Sequence, residues 1–200
     1  MIGVGPSFAQ LPEELKLTAV QVTLHSLPSK IDVGAVKEKD SYEIYSMLLR
    51  TEMPPHWNIA DWAIRQETQS YPNFGAKDGN NVNECLQLSP GQESIYLPLI
   101  KDYVAKNKKK LVLERKFDLP QYALIGPTEV KSIQQRSRAA PSVIFDVSAV
   151  GFNQDATRAL VYVGHYCGSP CGGGRYHLLV KKDGHWEVDR DRGFSCAWGS

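Results

Sequence analysis

The chain has 200 residues, 42% hydrophobic and 22% charged, and 23 basic residues against 22 acidic ones leave a net charge of +1. This composition is that of an ordinary globular domain with a substantial core. The balanced charge argues against nucleic-acid binding, and no apolar run approaches the roughly 20 residues that span a bilayer, so we expect no membrane insertion.

The first ten residues, MIGVGPSFAQ, are small and mostly apolar, and Ser7-Phe8-Ala9 before Gln10 is typical of the end of a secretory signal that lacks its charged start. We predict residues 1–10 to be a signal-peptide remnant or a disordered N-terminus, and residues 11–200 to form a single α+β domain. Four cysteines, an even number, favour an oxidising compartment. Both observations favour a secreted or periplasmic protein.

Two amphipathic helices are predicted in the first part of the chain. Residues 36–50 carry apolar side chains at helical spacing, namely Tyr42, Tyr45, Leu48 and Leu49. Residues 93–107 form the second helix, with Ile95, Leu99, Tyr103 and Val104 turned inward. Residues 11–27 fit a helix and a strand equally well, so both readings stay open.

The segments around these helices predict shorter elements. Residues 58–68 alternate, with Trp62 and Ile64 on one face, as in a half-buried strand. Residues 69–87 are rich in Ser, Asn, Gly and Asp and predict a long polar loop. Short strands or connections are expected at residues 111–117 and 122–125, and a surface turn of helix at residues 131–138.

Residues 142–188 show the clearest pattern of the chain. Short alternating runs of β-forming residues are separated by turn residues, which predicts an antiparallel meander with central strands at residues 159–167 and 175–182. Asp183-Gly184 is typical of a two-residue type I′ hairpin turn. Because strands cluster here and the better helices come earlier, we predict an α+β fold: an antiparallel β-meander in the C-terminal half, packed against two or more N-terminal helices.

Several short motifs follow one another along the chain, namely Tyr42-Glu43-Ile44-Tyr45-Ser46, Val150-Gly151-Phe152-Asn153, Ala159-Leu160-Val161-Tyr162-Val163-Gly164, Gly172-x-Gly174 and Leu178-Leu179-x-Lys181-Lys182-x-Gly184-x-Trp186. Their order resembles a family of small exported bacterial proteins without an assigned activity. The resemblance covers most of the chain from Tyr42 onward. It implies a single exported bacterial domain and supplies no catalytic residues that could be transferred to this chain.

The cysteines predict structure rather than redox chemistry. Cys167 and Cys171 are separated by three residues in a Gly-rich turn, not by two residues at the start of a helix. A disulfide between them would restrain the tip of a hairpin, with Cys85 and Cys196 as a second pair, although four cysteines allow three connectivities.

Two histidines are the main candidates for chemistry. If residues 168–174 join two paired strands, His165 and His177 lie nearly opposite each other on one face. This pair suggests a metal-assisted or hydrolase-like enzyme with Asp189 or Glu187 as the carboxylate, but a third metal ligand is not evident, so our main prediction has no metal. The sequence contains no standard hydrolase signature and no phosphate loop before a helix, so we expect no cofactor.

The favoured function is a non-enzymatic exported module that binds a small molecule or a protein partner. Arg175 would lie beside His165 and His177 at the loop end of one hairpin, next to three glycines with uncovered backbone N–H groups. Such a surface suits an anion or a carboxylate, with Arg175 as the bidentate donor. Tyr166 and Tyr176 are candidates for lining the ligand cleft.

Overall fold

The structure is a computed structural model that describes residues 33–52, 62–69, 86, 88, 91–135, 143–168, 171–190 and 197–199. All of them belong to the compact unit formed by residues 32–200. The predictions for residues 1–27, for most of the loop at 69–87, and for Cys85 and Cys196 lie outside the described residues. No helix in the described part of the chain is long and apolar enough to cross a membrane.

Helices and strands mix in one domain. In chain order, the elements are α1 (Val33–Glu52), β1 (Trp62–Arg65), α2 (Glu93–Lys106), β2 (Ala123–Ile125), α3 (Pro127–Gln135), β3 (Val143–Val147), β4 (Gly151–Phe152), β5 (Arg158–Gly168), β6 (Cys171–Lys182), β7 (His185–Val188) and β8 (Ala197–Gly199). The predicted helices at 36–50 and 93–107 are therefore confirmed.

The eight strands of the described residues form one mixed sheet. Its order is β2-β1-β3-β5-β6-β7, while β4 pairs with β5 and β8 pairs with β6. From β3 to β7 all neighbours are antiparallel, which confirms the predicted meander. The sheet as a whole is mixed rather than antiparallel, because β1 runs parallel to both β2 and β3. Parallel neighbours need crossover connections, and α2 and α3 lie in these connections.

The turn between β6 and β7 has the predicted geometry. Asp183 and Gly184 both have positive φ angles, of 50° and 83°. Positive values at both central positions are those of a type I′ turn, whose twist matches the strands that it joins.

Helix α1 covers one face of the sheet. Its buried side chains Ile44, Tyr45, Leu48 and Leu49 share a core cluster with the odd-numbered residues of β5, such as Val161 and Val163. The Lys181 ammonium of β6 lies 2.8 Å from Oδ1 of the buried Asp40, which adds an ion pair between helix and sheet.

Helix α2 covers the opposite face. Tyr96, Leu99, Ile100 and Tyr103 pack against Leu160, Tyr162, Tyr176 and Leu178. Ile95, predicted to be inward, is 45% exposed. The spacing explains the correction, because positions 96, 99, 100 and 103 form one helical stripe and position 95 lies beside it.

Side chains at the C-terminal end of α2 and just after it form hydrogen bonds with the segment that leads into β4. Nδ2 of Asn107 donates to the Ala149 carbonyl, and Oδ1 accepts from the Ala149 N–H, both at 2.9 Å. Asp102 accepts a 2.7 Å hydrogen bond from the Phe152 N–H. A Cβ at Gly151 would lie 2.5 Å from the Tyr103 Cβ, so only glycine permits this close approach.

The expectation of a half-buried strand at residues 58–68 needs correction. Trp62, Ala63 and Ile64 are all buried, so β1 is covered on both faces. Residues 111–117 form a connection with an isolated bridge between Val112 and Glu67, which is one of the two alternatives expected for them. Because β1 lies between two parallel neighbours with helices on its faces, its side chains meet apolar surroundings on both sides.

Candidate functional site

A cluster of ionisable side chains lies where α1 ends above the β5–β6 hairpin. We call it the hairpin-end cluster, and it consists of Glu52, His165, Arg175 and His177. In the register of the hairpin, Arg175 lies opposite Val163 and His177 opposite Val161. These side chains point to the α1 face because side chains alternate along a strand.

Glu52 connects the cluster. Its Oε2 atom lies 3.3 Å from Nη2 of Arg175, and its Oε1 atom lies 3.4 Å from Nε2 of His177. The side chains of Glu52 and His177 are 16% and 5% exposed, whereas that of Arg175 is 48% exposed. Arg175 is thus the member of the cluster most open to solvent.

Burial favours the neutral form of both histidines of the cluster. Burial lowers the pKa of His177 to about 4, and the positive charge of Arg175 acts in the same direction. Burial also lowers the pKa of His165; Glu52 opposes this effect and Arg175 adds to it. At neutral pH, the charges of the cluster are therefore those of Arg175 and Glu52.

The prediction that His165 and His177 lie opposite each other is wrong. His165 pairs with Gly173 and His177 with Val161, so four positions, roughly 13 Å along the strands, separate the two. The described residues contain no group of three or more His, Cys, Asp or Glu side chains that could hold a metal ion. The arrangement therefore gives no support to a metal held by the two histidines.

The carboxylates named with the enzyme alternative lie on the other face of the sheet. The Asp189 carboxylate contacts Tyr96 and Arg158, and Glu187 pairs with Lys182. The carboxylate that does meet His177 is Glu52, which the sequence pattern did not indicate, because the two residues are far apart along the chain.

Tyr166 and Tyr176 are separated from the hairpin-end cluster by the sheet. Tyr176 is buried on the α2 face, with its ring centroid 5.8 Å from that of Tyr103 and 5.3 Å from that of Tyr162. Tyr166 lies opposite Ile144, whose side chain also faces away from α1. Burial raises the pKa of Tyr176, which is a core residue.

A disulfide closes the tip of the hairpin. Cys167 and Cys171 are bonded, with their Cα atoms 5.1 Å apart, as the spacing predicted. Cys167 packs against the core beside α1, and Cys171 is exposed. The bond indicates an oxidising environment.

The three glycines of the hairpin do not form an open row of N–H donors. Gly172, Gly173 and Gly174 pair with β5 on one side, and Gly173 and Gly174 also pair with β8 on the other. The expectation of uncovered N–H groups is therefore wrong for Gly173 and Gly174, which have a strand on each edge.

Comparison of the chain with protein-family models, curated proteins and solved structures finds no match. The resemblance to small exported bacterial proteins stays a prediction from the sequence.

Three cavities of the molecule are lined by residues other than those of the hairpin-end cluster. One of about 640 Å³ follows α1 past Tyr42 and Trp186, and one of about 420 Å³ lies beside Tyr45 and Val112. The third, of about 780 Å³, is polar and includes Arg158. None of the three is lined by Glu52, His165, Arg175 or His177.

Proposed function

We propose that this protein is an exported, non-enzymatic binding module that recognises a carboxylate of a protein partner through Arg175. The observation that carries the proposal is the state of the Arg175 guanidinium. Its contact with Glu52 involves Nη2 alone, and among the described residues no other partner holds the group. The remaining N–H donors are available at the surface for a bidentate interaction with a carboxylate.

The surroundings of Arg175 reduce the entropy that binding would cost. Glu52 orients the guanidinium, and the largely buried carboxylate is itself placed next to the ring of His177. The backbone of Arg175 is fixed between β5 and β8, and the disulfide closes the nearby turn. A side chain held in this way loses less freedom when a partner binds than a free surface arginine does.

An open surface favours a protein partner over an enclosed small molecule. Small-molecule sites are usually concave, and the three cavities lie elsewhere on the molecule. Arginine is enriched in protein–protein interfaces, where its flat guanidinium combines a charge with a wide contact area. The disulfide, which indicates an oxidising environment, supports the exported location.

Protonation of His165 predicts a pH dependence of this interaction. At neutral pH, Glu52 offsets part of the charge of Arg175. As the pH falls below the ordinary range of histidine, His165 gains a proton and the cluster becomes more positive. Binding of a carboxylate should therefore strengthen on mild acidification, as long as the carboxylate of the partner stays ionised.

A titration with a model acidic peptide tests the proposal. Hexaglutamate is added to ¹⁵N-labelled protein at low salt, and amide shifts of the β5–β6 hairpin report binding. Arg175→Ala should weaken the affinity by roughly tenfold or more. It also leaves the largely buried Glu52 carboxylate without its cation, so the affinity is compared per folded molecule. Arg175→Lys keeps the charge and should recover only part of the affinity.

Lys131→Ala is the matched control, because Lys131 is an exposed cation of α3 and is not part of the hairpin-end cluster. It should bind the peptide as the wild type does. Equal affinity of Arg175→Ala and wild type, per folded molecule, would overturn the proposal. So would equal losses in the Arg175 and Lys131 variants, since that result indicates non-specific attraction by surface charge.

A further inference from the structure

A polar recess lies on the α2 side of the sheet, where α2, β5 and the end of β7 meet. It belongs to the cavity of about 780 Å³, and the side chains that matter here are Gln92, Tyr96, Arg158, Lys182, Asp189 and Arg190. The cavity also reaches Met47 and Thr51 of α1, but none of its lining residues belongs to the hairpin-end cluster. The proposal made for the recess is therefore separate from the function proposed above.

Arg158 is the central group of the recess. Its Nη1 atom donates to Oδ2 of Asp189 at 3.2 Å and to the Tyr96 hydroxyl at 3.4 Å. The Tyr96 hydroxyl in turn donates to the same Asp189 oxygen at 3.3 Å. The guanidinium carbon also lies 5.5 Å from the centre of the Tyr96 ring, so the arginine is held by a charge, a hydroxyl and a ring face.

The groups that hold Arg158 are buried, whereas the arginine itself is not. Tyr96 and Asp189 are 5% and 8% exposed, and the Arg158 side chain is 32% exposed. Every one of its hydrogen bonds uses Nη1, so Nε and Nη2 have no hydrogen-bond partner in the described part of the chain. These two atoms form the edge of the guanidinium that best matches two oxygens of an anion.

The charges around the recess favour an anion. Three cations line the cavity, namely Arg158, Lys182 and Arg190, against the two carboxylates Glu187 and Asp189, which leaves one positive charge in excess. Asp189 is occupied by Arg158 and Tyr96, and Glu187 pairs with Lys182. Arg190 is exposed beside the recess and adds a second cation to the approach.

We propose that this recess binds a small oxyanion, a carboxylate or a phosphate group, with Nε and Nη2 of Arg158 as the bidentate donors. Tyr96 and Asp189 position the arginine, and Arg190 contributes attraction from the rim. The arrangement is a built site, because a buried carboxylate and a buried phenol from two different elements fix the orientation of one partly exposed guanidinium. A merely structural tie between α2 and the sheet would give the same contacts without any affinity for anions, and the experiment separates the two.

The test observes the NMR signal of the Arg158 side chain directly. The Nε–Hε signals of the arginines are recorded on ¹⁵N-labelled protein, and the signal of Arg158 is assigned as the one that disappears in Arg158→Lys. Sodium phosphate, sodium acetate and sodium chloride are then titrated separately at matched ionic strength. Phosphate or acetate, or both, should shift the Arg158 signal in a saturable way that chloride does not reproduce. A response to phosphate alone assigns a phosphate group, and a response to acetate assigns a carboxylate.

Two variants test whether the shift of the Arg158 signal comes from binding in the recess. Arg190→Gln removes an exposed rim charge without touching the network and should weaken binding severalfold, with an unchanged melting temperature. Arg175→Ala should leave the Arg158 response intact, which distinguishes this site from the hairpin-end cluster. If phosphate and acetate move the Arg158 signal no more than chloride does, or if Arg190→Gln has no effect on a shift that is seen, the recess is only a structural tie.

Discussion

Replacing Gly151 by alanine is the sharpest test of how the two halves of the domain are joined. A Cβ at this position would lie 2.5 Å from Cβ, 2.6 Å from Cα and 2.7 Å from N of Tyr103. Two of these three atoms belong to the backbone of α2, so no change of rotamer removes the contact. The helix has to move by about 1 Å to reach the ordinary carbon–carbon separation of 3.5–4.0 Å.

That movement breaks hydrogen bonds as well as packing. Overpacking alone costs about 1–3 kcal/mol. The displaced helix also carries Asp102 and Asn107, whose hydrogen bonds to Phe152 and Ala149 measure 2.7–2.9 Å and contribute about 1 kcal/mol or more each. We therefore expect Gly151→Ala to lower the free energy of unfolding by about 3 kcal/mol or more.

Urea and thermal denaturation measure this loss, and Gly126→Ala is the matched control. A destabilisation of about 3 kcal/mol corresponds to a fall in melting temperature of roughly 6–12 °C for a domain of this size. A Cβ at Gly126 would have its nearest neighbours at 3.8 Å, in Gln66 and Glu129, so that variant should stay within about 0.5 kcal/mol of wild type. If Gly151→Ala is as stable as Gly126→Ala, the close approach of α2 to this strand is not a feature of the folded protein.

Three further predictions concern stability. Asn107→Leu should cost about 3 kcal/mol in urea denaturation, because the N–H and carbonyl of the buried Ala149 both lose their partner. The free energy of unfolding should fall by up to about 3 kcal/mol as the pH is lowered from about 6.5 to about 4. The reason is that the pKa of His177 is about 4 in the folded state and has its ordinary value in the unfolded state. His177→Gln should therefore flatten this part of the pH profile. Replacing both Cys167 and Cys171 by alanine should cost about 2 kcal/mol, the chain-entropy value for so short a loop.

Controls for these predictions come from the same chain. Lys108→Ala changes an exposed neighbour of Asn107 and should be nearly neutral. His185→Gln changes an exposed histidine, and an effect on the acid profile as large as that of His177→Gln would refute the assignment to His177. Peptide mapping before and after reduction must recover the linked Cys167–Cys171 peptide from protein made under oxidising conditions; free thiols at both positions would contradict the disulfide.

The elements predicted correctly are those whose pattern is local. The helix around Tyr45 and Leu48 follows from apolar side chains at intervals of three and four residues. The long hairpin follows from alternation along β5 and β6 and from the preference of Asp183-Gly184 for positive φ angles. The Cys167–Cys171 disulfide is equally local, because the two residues flank one turn.

The sequence therefore determined the α1 helix, the α2 helix and the antiparallel hairpins on its own. Tertiary structure alone decided the parallel pairing of β1, because the alternation of residues 58–68 indicates a strand but not the direction of the strands beside it. It also decided both sites: Glu52 meets Arg175, and Tyr96 and Asp189 meet Arg158, only after distant segments pack on the two faces of the sheet. Periodicity reports which face a side chain occupies, whereas the partner it meets there depends on register and on chain crossings, which no local pattern encodes.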